Sequence, residues 1–304
     1  MKTNRQILLL VLLLCGFFQT GFLSAQRVAE IRSALLNPHY EKVLVVSHRG
    51  NWRSDAPENS LAAIDSAIHM GVDIVELDVW KTKDGHLVLM HDHTVDRTTN
   101  GKGEIAQMTL AEIKQLRLKD RDGKLTEYTV PTLEEGLLRA KGKIMVNLDK
   151  ASGFFEEVFT ILKKTGTVDM IIMKGGQPAE TVERDFGKYL DEIIYMPIVV
   201  LDEANAERAV ENYVKLLKPA AFEMCYSDSG NRLPLKLKEK LKGKSLLWYN
   251  TLWDSLAGGH TDDKALEDAD ANYGYLIETL GARIIQTDRP ALLLGYLRKN
   301  GWHD

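Results

Sequence analysis

From Val43 onward, short apolar runs alternate with longer stretches in which apolar residues recur every three or four positions. The first kind predicts buried strands and the second predicts helices that lay one face on them. The strands fall at Val43–Ser47, Asp73–Val79, Lys143–Asp149, Asp169–Met173, Ile193–Val200, Ala220–Cys225, Ser245–Asn250 and Arg283–Thr287. The helices between and after them fall at Leu61–Met70, Leu133–Ala140, Phe154–Lys164, Pro178–Tyr189, Ala204–Leu217, Leu235–Leu241, Lys264–Leu280 and Ala291–Arg298. Strand and helix therefore alternate eight times, which predicts an α/β fold of the parallel TIM (β/α)8 barrel type. An open doubly wound sheet is the competing arrangement.

One interval does not fit a plain barrel. After the second strand the chain predicts a hairpin over Lys81–Met90, turning at Asp84-Gly85. Residues 92–131 then run on too long for a simple strand-to-helix loop, which predicts a small inserted lobe over the barrel mouth. At the other end, Lys2 and Arg5, an apolar run and small residues ending at Ala25 have the grammar of a secretory signal peptide over residues 1–25. The expectation is an exported, periplasmic or secreted barrel domain over residues 26–304. Leu14 before Cys15 is not small, which argues against lipid anchoring. Removing the leader leaves Cys225 as a single thiol, so the fold depends on its core rather than on a disulfide. The formal net charge of −4 falls further without Lys2 and Arg5, which argues against nucleic acid as a partner.

The chemistry concentrates at predicted strand ends, where barrel enzymes place their sites. Glu76 and Asp78 lie two apart on the second strand and project from the same side. Two buried acids side by side require that one is protonated or that a cation lies between them, and a hard divalent ion, Mg²⁺ or Ca²⁺, is the simplest cation for carboxylate oxygens. Asp149 closes the third strand as another inward acid, while strand alternation turns Lys150 away from the site. The first strand ends in Ser47-His48-Arg49-Gly50, a proton carrier beside a fixed cation. A second histidine, His91, follows the hairpin that continues from Glu76 and Asp78. In Pro57-Glu58-Asn59-Ser60, either Asn59 or Ser60 suits the N-cap of the first helix.

These residues, with His91-Asp92, Arg97-Thr98-Thr99-Asn100-Gly101 and Thr287-Asp288-Arg289-Pro290, resemble the glycerophosphodiester phosphodiesterases, in order and over nearly the whole chain from Val43 to Arg298. The resemblance implies a TIM barrel with an insertion after its second strand. It also implies one divalent cation held by Glu76, Asp78 and a third acid, here Asp149, with His48 and His91 as acid and base. The implied substrate is a small glycerophosphodiester, cleaved to glycerol 3-phosphate and an alcohol. The family usually ends its third strand in Glu-x-Lys, whereas this chain has Ala151 at the lysine position. Lys174, at the end of the next strand, is the candidate replacement. Arg49 and Lys174 are then candidates for the phosphate charge, and Glu223, Trp253 and Tyr249 for the alcohol pocket. Two other readings stand beside this one. A phospholipase C or sphingomyelinase D-like enzyme would act on intact lipids, and the lobe is polar but carries Ile105, Met108 and Leu110, so membrane contact stays open. A binding protein would capture phosphodiesters without turnover, though capture does not require two proton carriers.

Overall fold

The computed structural model describes residues 26–53 and 56–304. The leader expected over residues 1–25 lies outside the described residues. A first helix, α1, spans residues 26–36 and buries Val28, Ile31 and Leu35, while Arg27 donates to the carbonyls of Gly71 and Val72 at 2.9 Å each. The barrel then begins with β1 (Leu44–Ser47), α2 (Leu61–Met70) and β2 (Ile74–Lys81). The caps of α2 divide a question that the sequence leaves open. Ser60 is its N-cap, accepting from the Ala63 amide at 3.0 Å, which frees Asn59 for other work.

The antiparallel β3 (Leu87–Leu89) returns along β2, with Trp80 opposite Val88 and Gly85 turning the hairpin at φ 85°. The chain next builds a lobe from α3 (Leu110–Ile113) and the two-stranded β4 (Arg117–Lys119) and β5 (Leu125–Thr129). Val88, Met90, Val95, Ile105, Ile113, Leu118 and Val130 give this lobe an apolar core separate from that of the barrel. Ile105 is buried in this core, and Met108 and Leu110 are partly buried against it.

The regular alternation resumes with α4 (Leu133–Ala140), β6 (Met145–Asp149), α5 (Phe155–Thr165), β7 (Ile171–Gly175), α6 (Ala179–Phe186), β8 (Ile194–Val200) and α7 (Ala206–Leu216). It ends with β9 (Ala221–Cys225), α8 (Leu233–Leu241), β10 (Leu246–Asn250), the short α9 (Asp262–Ala265), β11 (Ala282–Thr287) and α10 (Pro290–Lys299). Strands β1, β2 and β6 to β11 pair in parallel, and the β1–β2 pairing closes the ring into a TIM barrel. Each predicted strand is present within two residues of its expected bounds.

The predicted helix Lys264–Leu280 is a different structure. It divides into α9 and a π-helix at Asp270–Thr279. Polar side chains account for the break. Asp268 accepts from the Ala271 amide at 2.9 Å, and Tyr273 turns inward to donate to Asp262 at 2.7 Å. Among the described residues, no helix is long and apolar enough to cross a membrane.

Candidate active site

Parallel register assembles the site. Ser47 pairs with Thr287 on one side and with Val75 on the other, so the next residues, His48, Asp288 and Glu76, meet at one level of the rim. Asp78 pairs with Asp149, and Leu148 with Met173, which brings Lys174 beside Asp149. Glu76, Asp78 and Asp149 each offer an oxygen within 4.8 Å of the others. The first two side chains are only 1% exposed. Burial and the neighbouring Asp78 charge push the Glu76 carboxyl well above the usual carboxylate range. A cluster of desolvated acids with oxygens this close fits a hard divalent cation, whose oxygen ligands are the same kind of group.

Two lysines lie among these acids. Lys174 is buried and spans Asp149 at 3.2 Å and Glu223 at 3.3 Å. Burial opposes its charge, but Asp149, Glu223 and Glu76 outweigh burial and hold its pKa well above that of a free lysine. Burial likewise opposes the Asp149 charge, but Lys174 and Lys150 bring its carboxyl below the ordinary range. Lys150 corrects the sequence reading. Strand alternation stops at this residue, which takes φ 57°, and its ammonium turns back to Asp78 Oδ1 at 2.5 Å. Alternation predicts side-chain direction only while the backbone stays extended.

Each candidate imidazole has a carboxylate on Nδ1. His48 Nδ1 meets Asp288 Oδ1 at 2.8 Å and His91 Nδ1 meets Asp92 Oδ1 at 2.7 Å. An ionised carboxylate only accepts, so Nδ1 carries the proton in both rings and Nε2 is left for chemistry. His48 Nε2 lies 4.0 Å from Glu76 Oε2. Burial raises the Asp288 pKa, but bonds from His48 and Trp52 outweigh it and keep the carboxyl below its usual range. Asp288 is fixed in turn through its backbone amide, which donates to the buried Asp262 at 2.7 Å. Asp262 also accepts from Thr251, Tyr273 and Thr287.

Arg49 takes φ 53°, donates its amide to Glu76 at 3.0 Å, and reaches Glu58 with its guanidinium at 3.1 Å. Asn59 closes a reciprocal pair with Asp78, donating from Nδ2 at 2.9 Å and accepting the Asp78 amide at 3.0 Å. Trp253 stands at the rim, 48% exposed, with its ring 6.2 Å from that of His48. Glu223 faces the barrel interior, where Asn250 donates to it at 2.7 Å, and Tyr249 is enclosed in the core. His48, Arg49, Glu76, Asp78, Asp149, Lys174 and Glu223 therefore form one connected group. His91 joins it through Asp92, Arg97 and Glu58. Sequence reading gives no role to Asp288 or Asp262, offers Asn59 only as an alternative N-cap, and turns Lys150 away from the site. The signal for Asp288 lay in the Thr287-Asp288-Arg289-Pro290 motif, which the reading used only for resemblance.

A barrel whose mouth carries three acids, two carboxylate-bound imidazoles and fixed cations defines a protein equipped for acid–base work on an anionic group. Comparison with known proteins narrows this class. The family described as "Glycerophosphoryl diester phosphodiesterase family" matches residues 48–219, and a family described as a domain of unknown function matches residues 195–297. The chain belongs to the glycerophosphoryl diester phosphodiesterase family. It is 46% identical over 114 residues to the glycerophosphodiester phosphodiesterase of Caldanaerobacter subterraneus subsp. tengcongensis, covering 37% of this chain and 46% of the relative. It is 32% identical over 202 residues to the enzyme of that name from Bacillus subtilis, covering 62% of this chain and 66% of the relative. The matches thus span about half to two thirds of these relatives. A crystal structure of a glycerophosphoryl diester phosphodiesterase from Parabacteroides distasonis superposes with TM-score 0.75 at 24% identity, covering 90% of this chain and 92% of the other. An Oleispira antarctica phosphodiesterase in complex with the product sn-glycerol-3-phosphate superposes with TM-score 0.61 at 22% identity, covering 85% and 97%. These two likenesses support the fold.

Proposed function

We propose that this protein is a divalent-cation-dependent phosphodiesterase that hydrolyses small glycerophosphodiesters to glycerol 3-phosphate and an alcohol. The observation that carries this reading is the gathering of Glu76, Asp78 and Asp149 beside His48, whose Nδ1 is bound by Asp288 so that Nε2 is left for proton transfer. Family membership and the product complex of the Oleispira antarctica protein support the substrate class.

Glu76, Asp78 and Asp149 would hold the ion, with Mg²⁺ and Ca²⁺ as the candidates. Bound there, a divalent ion supplies Lewis-acid stabilisation of charge on phosphoryl oxygens. The remaining work belongs to the chain's own residues. Arg49, held by Glu58, and Lys174, held by Asp149 and Glu223, place positive charge where the diester charge grows. His48 takes the proton from the glycerol 2-hydroxyl as its oxygen attacks phosphorus, and His91 delivers a proton to the departing alcohol oxygen. The resulting cyclic phosphate is opened by water with the two imidazoles in reversed roles, which returns both to their starting state. Trp253 and Glu223 are the candidates for shaping the alcohol pocket. The leader grammar of residues 1–25 supports export.

Product analysis by ³¹P NMR tests the reading, using glycerophosphocholine, glycerophosphoethanolamine, glycerophosphoinositol and intact phosphatidylinositol with defined metals. Glycerol 3-phosphate from the first three is the expected result. Cleavage of phosphatidylinositol alone would establish a lipid phospholipase instead, and tight binding without product would establish a capture protein.

A further inference from the structure

We propose that Arg97, a residue of the inserted lobe, is a positioning residue that sets the orientation of His91 and Arg49 together. The proposal rests on the phosphodiesterase reading in assigning those two residues to the reaction. Arg97 meets two carboxylates from different parts of the chain, each through two bonds. Its Nε and Nη2 donate to Asp92 at 2.8 and 3.0 Å, and its Nη1 and Nη2 donate to Glu58 at 2.8 Å each. The oxygens that Nη2 holds, Asp92 Oδ1 and Glu58 Oε1, are the same ones that bind His91 Nδ1 and Arg49 Nη1. One nitrogen therefore lies between the oxygen that orients the imidazole and the oxygen that orients the guanidinium.

A planar fork with fixed donors can hold two carboxylates in one geometry, whereas an ammonium offers a point charge. Arg97 holds the Asp92 carboxyl well below the ordinary range, chiefly by hydrogen bonding, which keeps that group an acceptor for His91. Docking of the lobe does not require this arrangement. The lobe has its own apolar core, and Lys114 pairs with Glu135 of the barrel helix α4 at 2.5 Å. The Arg97 side chain is 48% exposed, and ion pairs in that setting contribute little to stability. Its double bidentate geometry acts on the site.

The test compares wild type with Arg97→Ala, Arg97→Lys and Lys114→Ala, using steady-state kinetics on glycerophosphocholine and ¹⁵N NMR of the histidine rings. Arg97→Ala should lower kcat/KM by about 10- to 100-fold, the usual effect of removing a group that orients a site residue. Arg97→Lys should recover only part of this, methylguanidinium added to Arg97→Ala should restore activity, and Lys114→Ala should match wild type. The Nδ1 resonance of His91 should move in Arg97→Ala while that of His48 stays. An equal loss in Lys114→Ala would reduce Arg97 to lobe docking, and an unmoved His91 resonance would overturn the proposal. The NMR result decides the hold on His91 whether or not the wild type hydrolyses the diester, so failure of the substrate reading is seen separately. Should Arg97→Ala not fold, Arg97→Lys carries both readouts.

Discussion

Removing the carboxylate behind His48 gives a graded and quantitative outcome. Asp288 Oδ1 accepts from His48 Nδ1 at 2.8 Å and from Trp52 Nε1 at 3.0 Å, with both His48 and Asp288 largely buried. A hydrogen bond to a charged partner is worth about 1.5–3 kcal/mol, and each 1.36 kcal/mol is tenfold in rate, so losing it costs roughly 10- to 150-fold. Asp288→Ala also releases the His48 tautomer, which takes the expected loss in kcat to about 10²–10³-fold. Asp288→Asn behaves differently, because two donors converge on Oδ1 and hold the amide oxygen there. The tautomer survives, only the charge is lost, and the difference of about 1–1.5 kcal/mol between charged and neutral bonds predicts a fall of about 5- to 10-fold. Steady-state release of glycerol 3-phosphate from glycerophosphocholine, with circular dichroism to confirm folding, measures both variants. Near-normal kcat in Asp288→Ala, or equal losses in the two variants, would refute the role given to Nδ1.

Other perturbations reach different parts of the account. Lys150→Ala frees Asp78 Oδ1 and should tighten divalent-ion binding about two- to fivefold, as expected for loss of one partly exposed ion pair, measured by titration calorimetry; weaker binding would show that Lys150 assists the ion. Gly50→Ala places a Cβ 2.7 Å from Ala63 Cβ and 2.9 Å from its carbonyl carbon at φ 78°, and should cost about 2–5 kcal/mol in denaturant unfolding. An unchanged midpoint would contradict the packing described at this turn. His303 is opposed by burial, but its bond to Asp73 at 2.9 Å outweighs this and raises its pKa above the ordinary histidine value. A raised folded pKa means that the contribution is fully present below the unfolded value of about 6.5 and is lost as pH rises through the folded value. The gap in Tm between wild type and His303→Ala should therefore shrink as pH is raised through neutrality, and a gap that widened would contradict the pairing.

Most of this architecture was legible in the sequence because barrel strands are short, apolar and bounded by turns. Glu76 and Asp78 were legible because period two survives on an extended strand, and Asp149 because it ends the neighbouring one. The partners of these groups were not. Asp288 reaches His48 across 240 positions of sequence through the pairing of β1 with β11, a register that no local pattern displays. Lys150 was misread because a left-handed residue breaks the alternation on which the reading depended. Asn59 and Ser60 looked interchangeable as caps, and only the fold shows that Ser60 caps α2 while Asn59 holds Asp78. The segment predicted as one helix over Lys264–Leu280 is helical but broken and partly π, for a related reason. Tyr273 is drawn to the buried Asp262, just before the predicted helix, and the helical pattern contains no sign of that side-chain bond.

The central claim is that Glu76, Asp78 and Asp149 hold one divalent ion on which diester hydrolysis depends. The direct measurement strips the protein with a chelator, titrates Mg²⁺ or Ca²⁺ back by calorimetry, and follows glycerol 3-phosphate release at each point. The account predicts a single binding event per chain, activity that returns in step with it, and neither in Asp149→Ala. Full turnover in excess chelator, or binding that persists unchanged in Asp149→Ala, would contradict it.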